Sequence, residues 1–171
     1  MNLSIRAVKA KLVTFGVLLV GAATVGMPAF AASTTATATI AVTATVQATC
    51  TIAATALPFG TYTGAAAVKV NATITTTCSK GTGYTIGLNG GTTTGGGTST
   101  GRKMTGPGGA TLNYQLFKDS GYATYWGNAK SIVTGTGTGA AVSNLVYGEI
   151  LPSQYPTAGA YTDTVTATIT Y

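Results

Sequence analysis

The stretch Tyr161-Thr162-Asp163-Thr164-Val165-Thr166-Ala167-Thr168-Ile169-Thr170-Tyr171 sorts its residues by parity: the odd positions are Tyr, Asp, Val, Ala, Ile and Tyr, and every even one is Thr. Successive side chains point to opposite faces only in a β-strand, so one face is mostly apolar and the other hydroxylated. These β-branched and aromatic types fit a half-buried pleated surface. The same alternation runs through Val68, Val70, Ala72, Ile74, Thr76 and Cys78, and through Leu112, Tyr114 and Leu116. Tyr84 to Leu88 reads as another short strand, and Val142 to Leu151 as one with both faces more apolar. Turn signals separate these runs: Pro58-Phe59-Gly60, Asn89-Gly90-Gly91, Gly106-Pro107-Gly108-Gly109, Gly135 to Gly139, and Pro152 to Pro156. No interval longer than a turn has a 3.6-residue pattern. Six or seven short strands without a helix indicate an all-β, antiparallel β-sandwich of immunoglobulin-like arrangement. The stretch Gly90 to Gly109, nearly all Gly, Thr and Ser, reads as a mobile hairpin loop.

Composition narrows the function classes. The 171 residues suit one domain, are 45% hydrophobic and only 7% charged, and contain no histidine. Nine basic against three acidic residues give +6, but Arg6, Lys9 and Lys11 precede an apolar run, and without them the balance is +3. That remainder is too dilute for a nucleic-acid footprint, which needs clustered Lys and Arg. Catalysis is poorly supplied too: the only acids are Asp119, Glu149 and Asp163, and no imidazole can serve as base or metal ligand. Neither an enzyme, a cofactor nor a metal site is expected.

Arg6, Lys9 and Lys11, then the apolar Leu12 to Val25, then Pro28-Ala29-Phe30-Ala31-Ala32 follow the order of a secretory signal peptide, with cleavage after Ala31. The apolar run is shorter than the roughly 18 residues that spanning requires, so no transmembrane span is expected. Export makes Cys50 and Cys78 interpretable. Two cysteines in one small domain in an oxidising compartment most economically form one intrachain disulfide, and two thiolates without His or nearby carboxylates cannot complete a zinc site. Closing a loop of 27 intervening residues should stabilise the fold by about 3–4 kcal/mol.

Before Cys50 lies a further alternation. Ala36, Ala38, Ile40, Val42, Ala44, Val46 and Ala48 occupy even positions, and the odd ones from 35 to 49 are Thr except Ala41 and Gln47. Such alternation is no disorder composition. A strand of seventeen residues would span about 55 Å, against the usual 5–6 residues of a sandwich strand. Its first half, residues 32–43, is therefore expected to project beyond its own domain, with the domain's first strand beginning near Thr43 and the domain itself covering 44–171.

Several motifs together carry a resemblance: Leu112-Asn113-Tyr114-Gln115-Leu116-Phe117-Lys118-Asp119, Tyr125-Trp126-Gly127, Val146-Tyr147-Gly148, and Pro156 to Val165. With the two cysteines and Leu57-Pro58-Phe59-Gly60, they resemble the spore coat U domain family, which includes the pilins of archaic chaperone–usher fimbriae. The likeness covers roughly Thr45 to Tyr171. It implies an incomplete immunoglobulin-like domain lacking its last strand, with a hydrophobic groove filled first by a periplasmic pilus chaperone. At an outer-membrane usher the N-terminal strand of the next subunit then takes its place, the handover known as donor-strand complementation. On that reading Ala36, Ala38, Ile40 and Val42 form the inward face of the donor strand, and Val165, Ala167, Ile169 and Tyr171 border the groove. The partners are then the chaperone, the usher and neighbouring copies in a head-to-tail polymer, with no nucleic acid. The location is a cell-surface fimbrium reached through the periplasm, serving adhesion and biofilm formation. The alternative is a secreted spore or cell-surface coat protein not assembled into fimbriae. The donor face carries nothing bulkier than Ile40.

The remaining residues have plainer readings. Trp126 is expected in the core rather than as a ligand platform. Asp119 closes a turn before Ser120-Gly121, and Asp163 interrupts an apolar face without making a catalytic pair. Asn71-Ala72-Thr73 matches a glycosylation acceptor by accident, and Gly135 to Gly139 lacks the Lys and following helix of a phosphate loop.

Overall fold

The structure, a computed structural model, describes residues 33–97 and 100–171. The signal peptide expected over residues 1–31 lies outside them. By its internal contacts the chain divides between Thr43 and Ala44, and the sandwich lies in the second unit.

Eight strands build that unit: β1 (Cys50–Ala54), β2 (Val68–Cys78), β3 (Gly83–Leu88), β4 (Arg102–Thr105), β5 (Thr111–Phe117), β6 (Val133–Thr136), β7 (Ala141–Ile150) and β8 (Ala167–Thr170). The regular helical structure among the described residues is two single 3₁₀ turns, at Pro107–Gly109 and Ala129–Ser131. The strands form a five-stranded sheet in the order β1-β2-β7-β5-β4 and a three-stranded sheet in the order β6-β3-β8. Every pairing is antiparallel. The long pair β2–β7 runs from Val68↔Ile150 to Thr77↔Ala141 and forms the spine of the larger sheet.

Period two decides which side chains go inside. In β2, Ala72, Ile74, Thr76 and Cys78 point into the core, and Val146 and Ile150 of β7 meet them there. Leu112, Tyr114 and Leu116 of β5 and Tyr84, Ile86 and Leu88 of β3 complete the layer between the sheets. Trp126 is 1% exposed, and its indole N–H donates to Ile86 O at 3.1 Å, which satisfies the one polar atom of a buried ring. Cys50 and Cys78 face each other in register across β1 and β2, with Cα atoms 4.1 Å apart, and are joined as a disulfide.

Three expectations need correction. The domain's first strand starts at Cys50, not near Thr43, and residues 33–49 have no regular secondary structure. Alternation marks a strand-ready sequence, but a strand also needs a neighbour for its N–H and C=O groups, and pairing begins only where β1 meets β2. Next, the stretch Gly90 to Gly109 is not simply a loop. It contains β4, whose Arg102 and Met104 are 0% and 8% exposed and whose pairing with β5 runs from Arg102↔Tyr114 to Thr105↔Thr111. Finally, the C-terminal strand is formal only over β8. Residues 161–166 keep the alternating burial, but their backbone bonds that of a neighbouring segment at Thr162, which bridges Thr105, and at Thr166 and nowhere between.

Candidate functional site

The sandwich is not closed on one side. β1 is an edge of the larger sheet and β8 an edge of the smaller, and the two edges approach one another. Beside them opens a groove of about 1100 Å³. Its floor is the core itself, with Ile74, Leu88, Met104, Leu116, Val146 and Ile150 among the lining residues. One wall is the segment after β1, residues 54–63, and the other is the segment before β8, residues 154–165. Native interiors hold few voids larger than a water molecule, whereas here an apolar floor of core side chains is left open as a groove.

The walls differ from the floor in their backbone. Among the described residues, 56–63 make no backbone–backbone hydrogen bond, and neither do 155–161 or 163–165. Two runs without backbone partners therefore flank an apolar floor, although side chains take Thr157 O and Thr164 N. A helix satisfies its own backbone and offers nothing to such edges, whereas an extended strand can pair with them while its alternate side chains enter the floor.

Side chains hold the walls in place. Tyr62 Oη donates to Leu151 O at 2.8 Å and accepts from Gln154 N at 3.0 Å. The Gln154 amide bonds both backbone groups of Asn113, at 2.8 and 3.0 Å, and so extends the edge of β5 beyond the last residue that β7 reaches. Asp163 does more. Its carboxylate accepts from Tyr114 Oη at 2.6 Å, from Thr92 N at 2.8 Å, from Thr164 N at 2.8 Å and from Thr92 Oγ1 at 3.0 Å. Burial alone would raise the Asp163 pKa, but these donors, led by the Tyr114 hydroxyl, hold it below the usual carboxylate range. Burial, with the bond to Asp163, keeps the Tyr114 phenol protonated far above its ordinary range. Beneath them Arg102 donates to the carbonyls of Asn89, Leu88 and Trp126 at 3.0, 3.3 and 2.9 Å. Burial lowers its pKa, and the nearby Asp163 carboxylate opposes that shift.

The expected site residues are distributed as follows. Val165 and Ala167 line the groove, and Ile169 packs against the core beyond the lining. Tyr171 is 57% exposed and takes no part in the lining. Ala36, Ala38, Ile40 and Val42 are exposed, with Ile40 and Val42 at 87% and 88%. Asp119 and Asp163 serve separate structural bonds, Asp119 accepting from Ala123 N and Thr124 N in its own turn. No group of three or more His, Cys, Asp or Glu able to hold a metal occurs among the described residues, and no described helix is long and apolar enough to cross a membrane. Sequence reasoning missed Arg102, Tyr114 and the Leu57–Phe59 wall as parts of the site. The parity of Leu57 and Phe59, alternating with Ala56, Pro58 and Gly60, was the available signal.

The model of the Spore Coat Protein U domain matches residues 36–168, most of the chain. This chain belongs to that family. The match begins ahead of β1, so the family pattern includes the alternating segment as well as the sandwich. No curated relative matches the chain. Among solved structures it is similar to a chain of the CsuC–CsuE chaperone–tip adhesion subunit pre-assembly complex, from archaic chaperone-usher Csu pili of Acinetobacter baumannii. The identity is 24% and the TM-score 0.58, over 74% of this chain and 41% of that one. This likeness supports the fold, and the chain spans less than half the length of that neighbour. The E. coli Hda pilus minor tip subunit HdaB also aligns, at 19% identity and TM-score 0.39 over 70% of this chain and 79% of that one, too loosely to carry an argument.

Proposed function

We propose that this family member is a structural subunit of a chaperone–usher fimbria, polymerised by strand donation. The observation that carries the reading is the groove, with its apolar floor between two walls whose backbone lacks a backbone partner. It supports an extended strand as occupant, because the walls offer backbone pairing along their length, and the carboxylate in the lining, Asp163, is engaged in hydrogen bonds that hold the wall. Residues 35–43 have the composition of that strand: Ala36, Ala38, Ile40 and Val42 on one face, Thr on most of the other, and all of them exposed. A strand given by each copy to the next is a head-to-tail contact that does not close on itself, and such contacts produce filaments. A periplasmic chaperone and an outer-membrane usher are the partners this route requires, since an open apolar groove would otherwise aggregate. Export through the periplasm to the cell surface, with adhesion and biofilm formation as the service rendered, belongs to the same proposal.

Deletion of residues 33–43 tests it. The shortened chain should still be captured by its chaperone and remain monomeric after release, as read by native mass spectrometry and electron microscopy. Filaments of normal length from that chain would overturn the reading.

A further inference from the structure

The groove carries large side chains of its own. Leu57 and Phe59 sit on a wall segment with no backbone partner, yet both are half-buried and pack against the core, while Ala56, Pro58 and Gly60 between them are exposed. This is the burial pattern of an inserted strand. Phe59 meets Tyr114 edge-on with ring centroids 5.8 Å apart, and Leu57 and Phe59 both lie over Gly148 of the central strand β7. A Cβ on Gly148 would stand 2.6 Å from Leu57 Cδ2 and 3.0 Å from Phe59 Cζ, so with any other residue there the ends of these two side chains would have to move outward. The gap at Gly148 and the two side chains that occupy it are therefore complementary in shape.

We propose that Leu57 and Phe59 fill, within the chain itself, the deep positions that an incoming strand would otherwise fill, so that the groove selects a donor of small side chains. The occupant is the segment 36–42 of a second copy of this chain, whose inward face is Ala36, Ala38, Ile40 and Val42 with no aromatic residue. This rests on the strand-donation reading and makes it specific: the limit on the donor is set by Gly148, Leu57 and Phe59, and a bulky donor is excluded by volume already occupied. Tight apolar interiors reject added methylenes, so an aromatic donor residue should weaken binding by about tenfold or more.

The test uses the full exported chain and a fluorescent peptide of residues 35–43, with binding followed by anisotropy. Four further peptides carry A36F, A38F, I40F or V42F. Those whose Phe faces Leu57 and Phe59 should bind at least about tenfold more weakly than the parent peptide. In the chain carrying Phe59→Ala, one of the four should recover to within a few-fold of the parent, and its position gives the register. A chain with Leu57→Ala serves the same purpose if Phe59→Ala does not fold. If the parent peptide binds and the aromatic peptides bind equally well, or no position recovers in either variant, the inference is overturned while strand donation stands. If the parent peptide and all variants fail to bind, strand donation itself fails, and the inference with it.

Discussion

Replacing Asp163 with Ala should loosen the groove wall, and the structure sets the size of the effect. The carboxylate takes the Tyr114 hydroxyl at 2.6 Å and three donors from Thr92 and Thr164 at 2.8 to 3.0 Å. Tyr114 is 4% exposed, so its hydroxyl would lose its partner without gaining water, whereas the exposed Thr92 and Thr164 groups can be rehydrated. Counting an orphaned buried donor at about 1–3 kcal/mol and the exposed bonds at the low end of their range gives a loss of about 2–4 kcal/mol. Tyr114→Phe, which leaves Asp163 its backbone donors, should cost about 1 kcal/mol. Urea unfolding of the oxidised chain reads both as shifts in midpoint at constant slope. The pH dependence supplies a second reading. A carboxylate whose folded pKa is depressed contributes stability that is present above its unfolded pKa of about 3.9 and is lost as pH falls through the folded value. The parent chain should therefore lose stability below about pH 4, more steeply than Asp163→Ala does. If Asp163→Ala cost no more than Tyr114→Phe, and the two chains had parallel acid profiles, the assignment of Asp163 as the anchor of this wall would be wrong.

Reducing the Cys50–Cys78 bridge, or replacing both cysteines with Ser, should lower stability by about 2–5 kcal/mol in calorimetry or urea unfolding, because β1 is an edge strand that the bridge ties to β2. Gly148→Ala should push Leu57 and Phe59 off the floor and cost about 1–3 kcal/mol, with a loss of peptide binding larger than that of a control such as Ala141→Ser on the exposed end of β7. On the donor, Val42→Asp should block assembly or give filaments that fall apart on mild heating, since an unpaired buried carboxylate costs several kcal/mol, while Thr39→Asp should assemble as the parent does. Greater damage from Thr39→Asp would place the opposite face of the donor inward.

What could be read from the sequence was local. Parity in 161–171, in β2 and in β5 assigns faces because side-chain direction in an extended chain depends on nothing beyond the residue's own position. The bridge was equally legible, since two cysteines allow one pairing, and a single Trp among short strands belongs in a core. Everything that required a partner distant in sequence was not. Residues 35–48 alternate as well as any strand in the molecule, yet among the described residues they form no strand and make no backbone–backbone hydrogen bond. Arg102 and Met104 looked like interruptions of a Gly/Thr loop until β5 supplied the pairing that buries them. Asp163 interrupts an apolar face by its own parity, but Tyr114 and Thr92, 49 and 71 residues away in sequence, make it the anchor of the groove wall. Leu57 and Phe59 reach their depth only because the residue that the fold places beneath them, Gly148, has no side chain. The alternating pattern settles which residues can form strands, and long-range pairing and packing decide which strands close against one another and which edge is left open.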